Sequence, residues 1–501
     1  MGSSGSGPSG SGARHLVIVG GGITGLAAAR SARQRGLTVT VLEAVQSLGG
    51  KLALGQVAGV QVDLGAESVL ARRPEGTDLI GALGLGEDLV HPATSSASIW
   101  SRGELRPLPG GQLMGVPGDL RALASTGILS SEGLARAEAD GDLPATPVEG
   151  DVSVGEFVTR RLGREVSDRL VEPLLGGVYA GWADRLSLRA TVPQLAGLAA
   201  AGTSLSAGVR GLLEAAAAAR TPAQIAAGPA PVFAGVRGGV GRLAEELVRD
   251  NELSGVTIRL GAQVTALVRV GDGWRVALAD GSELLADAVL LAVPAFAAAR
   301  LLAGVGSPAE RESPNISTGS PDAAAAQLAA IEYASVAIVT LAVPQAALGS
   351  GGLPGSGFLV PPVDGRAVKA ATFSSVKWPW LAQNAGGLVV LRASLGRARD
   401  TAELDREDAE LVKLVLADLG DAVGLRGAPV DTHVQRWNDA LPQYGVGHLD
   451  LVARARAALP EGIALAGAAY DGVGIPACIA SAHVAVSTLM NPWIERPNTD
   501  D

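Results

Sequence analysis

The run Gly20-Gly21-Gly22-Ile23-Thr24-Gly25 has the spacing G-x-G-x-x-G, and an acid, Glu43, followed by Ala44, comes about twenty residues later. Each glycine has a separate chemical use. Gly20 permits a tight turn, Gly22 lets the backbone approach a pyrophosphate, and Gly25 allows a helix to pack closely on a sheet. The N-terminus of that helix then faces the phosphates. Glu43 is placed to accept hydrogen bonds from a ribose diol, which favours an unphosphorylated ribose, and so FAD or NAD over NADP. The elements that must hold this loop are legible around it. His15–Val19 is a short apolar run suited to a buried parallel strand, Ile23–Gln34 reads as an Ala-rich helix, and Leu37–Leu42 as a second strand ending at the acid.

Two later glycine-rich regions separate flavin from nicotinamide. Leu48-Gly49-Gly50-Lys51 is a second glycine turn, and Val62-Asp63-Leu64-Gly65-Ala66-Glu67-Ser68 comes next. At the far end, Gly467 and Tyr470-Asp471-Gly472-Val473-Gly474-Ile475-Pro476 precede the last helix. These stretches resemble the FAD-binding signatures of the amine oxidase and protoporphyrinogen oxidase superfamily. The resemblance implies that Lys51 and Gly65, Ala66, Glu67 and Ser68 lie beside FAD, and that Val473, Gly474 and Ile475 approach the flavin ring. It also implies an adenine contact through the backbone of Val264, in Gly261-Ala262-Gln263-Val264, and a cofactor contact at Trp437, in Arg436-Trp437-Asn438. Read without the resemblance, Val264 is a core strand residue.

Three further stretches look like porphyrinogen oxidases rather than amine oxidases: Val171–Gly181, Thr372–Trp378 and Leu441–His448. With both cofactor ends they span Leu16 to about Met490, and the chain is similar to the coproporphyrinogen III oxidases of Gram-positive bacteria, actinobacterial in texture. The implied reaction is oxidation of a porphyrinogen, an intermediate of haem biosynthesis, by FAD, with molecular oxygen as acceptor and peroxide as product. Such a substrate is a broad apolar tetrapyrrole with propionates at its rim, so it needs an apolar cleft edged by cations. Arg73 matches the basic position that lies near the substrate in that family, with Arg72 and Lys377 as further candidates and Arg169 and Arg436 as weaker ones. All of these also read as solvated charges. Tyr179, Tyr444 and His448 could exchange protons but have no activating acid in the pattern, and read as structural. Cys478 reads as a buried helix residue. Protoporphyrinogen IX oxidation, an amine oxidase or carotenoid desaturase, and a porphyrin-binding scaffold without redox chemistry remain alternatives; the middle of the chain argues against the second, and the complete cofactor motifs against the third.

At 501 residues the chain exceeds one ordinary core, so several lobes around a cleft are expected. Hydrophobic residues at 47% against 18% charged place it among globular proteins, and a net charge of −10 disfavours nucleic acid as a partner. A single cysteine excludes an intramolecular disulfide and fits a reducing compartment, and the five histidines show no metal-like spacing. The expected location is the cytoplasm, where any contact with a membrane or another haem-pathway enzyme would be peripheral. The expected fold is α/β: a discontinuous Rossmann-type FAD-binding domain (15–91, 231–303 and 431–501), an inserted mainly helical lobe (92–230) and a mixed-sheet substrate domain (323–430). A Gly/Ser/Pro tail (1–14) and a Ser/Pro/Gly loop (304–322) are expected to be flexible.

Overall fold

The computed structural model describes residues 13–226, 228, 230–305, 320–349 and 351–495. Most of the tail and of the 304–322 loop lie outside the described residues, and the end of that loop starts the helix Pro321–Ala329.

Five parallel strands form the first sheet, in the order Thr257–Arg259, Thr38–Leu42, His15–Val19, Ala288–Leu291, Ile463–Leu465. Leu16, Val17 and Ile18 are fully buried, as continuous apolar strands between two covering layers must be. Helices Ile23–Gln34, Arg242–Leu253 and Ile475–Glu495 cover one face. The antiparallel meander Val264–Val270, Gly273–Leu278 and Glu283–Ala286, with helix Ala295–Ala303, covers the other. Segments far apart in the sequence therefore close one sheet.

The second sheet has seven strands, in the order Asp431–Pro442, Tyr333–Pro344, Leu388–Leu395, Val368–Thr372, Gly357–Leu359, Ser98–Ser101, Glu104–Pro107. Its pairing is antiparallel except between Gly357–Leu359 and Ser98–Ser101. Ala337, Val339, Leu341 and Val343 face helix Asp408–Val423, while Ala342 and Val390 pack toward the hairpin Leu54–Val57/Val60–Asp63. Here the hydrogen bonding departs from the sequence reading twice. The chain stays in this sheet to Pro442 instead of leaving it at 430, and two strands of the stretch read as helical extend its far edge. The reason is position: Asp431–Pro442 is an edge strand, half-buried along most of its length, so polar residues such as Thr432, Gln435 and Asn438 blur its alternation.

The remaining lobe is helical, with Phe157, Leu162, Leu170, Leu175 and Val209 in one apolar cluster. Inside it Arg161 and Asp140 form a buried ion pair at 2.7 Å. The Asp140 carboxylate also accepts from the Ser204 and Ser206 hydroxyls, and the second guanidinium arm of Arg161 donates to the Asp140 carbonyl. Removing the cation leaves a buried anion without its charge partner, so Arg161→Met is expected to cost about 3–5 kcal/mol. A denaturant titration checks this: its midpoint should fall well below that of the wild type.

Candidate active site

The cleft opens where the parallel strands end. The glycine loop follows His15–Val19, Ala292-Val293-Pro294 follows Ala288–Leu291, and Ala466–Ala469 follows Ile463–Leu465, and all three reach one cavity of ≈ 410 Å³. Carboxyl ends of strands are where α/β sheets bind ligands, because the next helices start there with unpaired amides. Its opposite walls come from the other lobes: Val336, Ile338 and Trp437 from the second sheet, Gly177 and Val178 from helix Glu172–Tyr179.

Backbone contact builds the floor. A Cβ on Gly25 would lie 1.9 Å from the Gly20 carbonyl oxygen, and one on Gly20 2.5 Å from that of Ala292, so both positions require glycine. Gly49 donates its N–H to Gly21 at 2.9 Å, which lays the second glycine turn beside the first. Gly65 comes as close to Lys51, whose carbonyl would be 2.0 Å from an added Cβ. Gly22 is different: a Cβ there would meet no protein atom within 4 Å. Gly474, with φ +118°, likewise faces open space at the start of helix Ile475–Glu495.

The floor thus has two helix N-termini, at Ile23 and Ile475, and, among the described residues, the cavity lining has one cation, Lys51, and no acidic side chain. Lys51 is packed deep among protein atoms yet accessible from the cleft, and desolvation pulls its pKa below the usual lysine value. This donor set suits an anionic ligand such as a pyrophosphate, and would stabilise negative charge on a flavin ring. Cys478 also lines the cleft; burial pushes its thiol up, so it stays protonated.

Beside the floor, Glu67 is held by the protein. Its carboxylate meets Arg392 at 2.5 Å and Lys377 at 3.3 Å and accepts from the Trp378 indole. Burial alone would raise its pKa, but the Lys377 and Arg392 charges and the hydrogen bonds outweigh that and hold it at about 2. Arg392 also donates to the Gly65 carbonyl at 2.7 Å, and Trp437 to that of Leu64 at 3.0 Å, so the second sheet fixes this turn against the cleft.

Gly22, Ile23, Thr24, Lys51, Gly65, Ala66, Ser68, Trp437, Val473, Gly474 and Ile475 all line the cavity. Gly20, Gly21 and Gly25 shape the loop from behind. Glu43 stands beside it, its carboxylate accepting the N–H groups of Gly21 at 2.7 Å and Val45 at 3.1 Å, with Ala44 exposed next to it. The Val264 side chain is buried in the core, although the residues before it run along Glu43 and Val45 through two backbone hydrogen bonds. The Glu67 carboxylate is taken by Arg392 and Lys377. The cations expected at the substrate lie outside the lining: Arg73 is paired with Glu75 at 2.6 Å, Lys377 with Glu67, Arg169 with Asp364 at 3.1 Å, and Arg436 with Asp408, while Arg72 is exposed and has no ion-pair partner among the described residues. Val293, Pro294, Tyr333, Val336 and Ile338 line the cavity without any sequence signal beyond the end of one strand and the alternation of another.

A model of the flavin containing amine oxidoreductase family matches residues 23–490. The chain belongs to that family. This flavoenzyme is 35% identical over 488 residues to the coproporphyrinogen III oxidase of Bacillus subtilis, covering 96% of the chain and 98% of the relative. It is 36% identical over 482 residues to the protein of that name from Mycobacterium tuberculosis, covering 95% and 97%. A crystal structure from Exiguobacterium sp. 255-15, assigned as a protoporphyrinogen oxidase, superposes with a TM-score of 0.81 at 34% identity, over 97% of this chain and 100% of that one. The flavoenzyme is thus an oxidoreductase with the flavin amine oxidase fold. No helix among the described residues is long and apolar enough to cross a membrane.

Two measurements test the cleft. Gly22→Val should fold normally, since its Cβ meets no protein atom, but lose flavin, whereas Gly25→Ala should lower thermal stability through its clash; flavin absorbance per folded monomer and circular dichroism separate the two. Glu67→Gln should destabilise the fold by about 3 kcal/mol at pH 7 by leaving Arg392 and Lys377 without their anion. Because the folded pKa of about 2 lies below the usual 4.5, the ionised carboxylate stabilises fully above 4.5 and that contribution is lost as pH falls toward 2. Denaturation midpoints of wild type and variant should therefore converge over that window.

Proposed function

We propose that the flavoenzyme oxidises coproporphyrinogen III to coproporphyrin III, with FAD in the cleft and molecular oxygen as acceptor, in haem biosynthesis. The observation that carries this reading is the extent of the match to coproporphyrinogen III oxidases, about 95% of the chain, which includes both substrate walls as well as the cofactor floor. Bound FAD would take hydride equivalents from the macrocycle and pass electrons to oxygen, giving one hydrogen peroxide per pair of hydrogens removed. The chain's own part is to bind, orient and exclude water. Gly22, Thr24 and the helix start at Ile23 would hold the pyrophosphate, with Glu43 on the ribose and the Val264 backbone toward the adenine. Lys51, Gly65, Ala66 and Ser68 would lie along the cofactor, while Val473, Gly474 and Ile475 would face the ring. Val178, Val336 and Ile338 supply apolar walls suited to a broad tetrapyrrole. The proposed location is the cytoplasm, with any membrane contact at the surface only.

Propionate recognition falls to Arg72, Arg73 and Lys377, which succeed or pair with the Glu67–Ser68 segment. Arg73 would have to exchange Glu75, and Lys377 Glu67, for a propionate, whereas Arg72 has no ion-pair partner among the described residues to give up. Two vinyl groups replace two propionates in protoporphyrinogen IX, so rim cations should favour the tetracarboxylate. Catalytic efficiency with both porphyrinogens, followed by porphyrin fluorescence at fixed ionic strength, is expected to be at least as high for coproporphyrinogen. Arg72→Ala should lower it about tenfold, and Arg73→Ala by less. A wild-type preference for protoporphyrinogen would overturn the substrate reading; unchanged efficiency in both variants would remove these arginines from it.

A further inference from the structure

Tyr444 follows the edge strand Asp431–Pro442 and is buried, yet it lines no part of the cavity. Its ring lies between Tyr179, at 5.6 Å between centroids, and His448, stacked at 4.0 Å with 14° between planes. Its hydroxyl donates to the Ala468 carbonyl at 2.5 Å and accepts the Gly472 N–H at 2.8 Å. Its backbone carbonyl takes the Ser187 N–H of the helical lobe at 2.7 Å.

Both groups bonded by the hydroxyl belong to the loop between strand Ile463–Leu465 and helix Ile475–Glu495, of which Ala468, Ala469, Val473 and Gly474 line the cleft. Gly472 and Gly474 have φ of +126° and +118°, where glycine has no side chain to restrict it, so the shape of the loop is imposed by its contacts. On one side Ser481 accepts the Gly467 N–H at 2.9 Å and donates to Asp471, which Arg456 also pairs at 2.6 Å. On the other side stands Tyr444, whose hydroxyl ties the Ala468 carbonyl to the amide of Gly472, the residue before Val473.

We propose that Tyr444 is a positioning residue for the flavin: its hydroxyl, clamped between the Ala468 carbonyl and the Gly472 amide, sets the direction in which the Val473–Ile475 peptide groups meet the ring. It also couples that loop to the helical lobe, because the same ring packs on Tyr179 at the end of the helix that carries Gly177 and Val178. Without the hydroxyl, a half-buried carbonyl and a half-buried amide lose their partner and the loop relaxes. The amides at the helix start then point less directly at the negative charge of a reduced ring.

The inference rests on flavin binding and not on the choice of porphyrinogen. The test compares Tyr444→Phe with Thr126→Val. Thr126 is a buried residue of the helical lobe whose hydroxyl likewise donates to one carbonyl, of Leu123 at 2.7 Å, and accepts one amide, of Ile128 at 3.3 Å, away from the cleft. FAD affinity of the apoprotein, the two-electron potential of the bound flavin and the thermal midpoint of the apoprotein are measured for each. Tyr444→Phe should weaken FAD binding about tenfold and make the potential more negative, whereas Thr126→Val should lower the thermal midpoint alone. Wild-type affinity and potential in Tyr444→Phe, or changes equal to those of Thr126→Val, would overturn the proposal. Should the phenylalanine variant not fold, 3,5-difluorotyrosine at position 444 keeps ring and hydroxyl but weakens the bond accepted from Gly472; it should shift the potential in the same direction, and no shift would refute the assignment. A wild-type apoprotein that binds no FAD would refute the cofactor reading itself, before any variant is compared.

Discussion

The close approach of Gly25 to the Gly20 carbonyl is the constraint on which the cleft depends. It brings the first helix so near the end of the first strand that its free amides open directly onto the cavity, and leaves Gly22 facing empty space. The other turns are fitted to this one. Gly49 is hydrogen-bonded to Gly21, and the Gly65 turn is pressed on Lys51, so three separated segments make one continuous backbone surface. Backbone surfaces of this kind can approach a ligand as side chains cannot, which is why glycine recurs at each.

Charge is arranged to the same end. The chain is acidic overall at −10, yet among the described residues the cleft lining holds a lysine and two helix N-termini and no carboxylate. The nearby acids are engaged by protein partners: Glu43 by two backbone amides, Glu67 by Arg392 and Lys377, Asp471 by Arg456 and Ser481. Local geometry, and not net charge, therefore decides the potential that a bound anion meets. Asp63, from the same run as Glu67, turns away altogether: burial lifts its pKa to about 6 while it accepts the Val240 and Gly241 amides ahead of helix Arg242–Leu253.

Much of the floor was legible in the sequence because its signals are local. A strand, a glycine at a fixed offset and a helix start lie within a few residues of each other, and the structure brings Gly22 to Thr24, Lys51, Gly65, Ala66 and Val473 to Ile475 to one cavity. What was not legible depends on tertiary pairing. Glu67 belongs to a stretch that the resemblance sets beside FAD, but the engagement of its carboxylate by Arg392 was hidden, because Arg392 sits in an apolar strand more than three hundred residues away, where nothing marks it as a counter-ion. The strand Asp431–Pro442 was hidden by the polar residues that an edge position allows. Tyr444 read as structural from its turn, and the contacts of its hydroxyl connect it with the loop before helix Ile475–Glu495.

The walls obey a different rule from the floor. In strand Tyr333–Pro344 the alternate residues Val336 and Ile338 face the cleft, while Ala337 and Val339 face helix Asp408–Val423. One strand therefore carries two sets of information at a period of two, one for the ligand and one for the core. A substitution at Val336 or Ile338 changes the shape of the cleft with little effect on the packing behind it, whereas a one-residue slip would exchange both sets at once. The register is held by a ladder with Leu388–Leu395 on one side and Asp431–Pro442 on the other, and the latter also brings Trp437 to the Gly65 turn. The same hydrogen bonds that fix the wall thus tie it to the floor, so the distance between them is set by the sheet, while the side chains that meet the ligand remain free to vary. A fold shared across a family can in this way keep one cofactor and present different walls to different substrates.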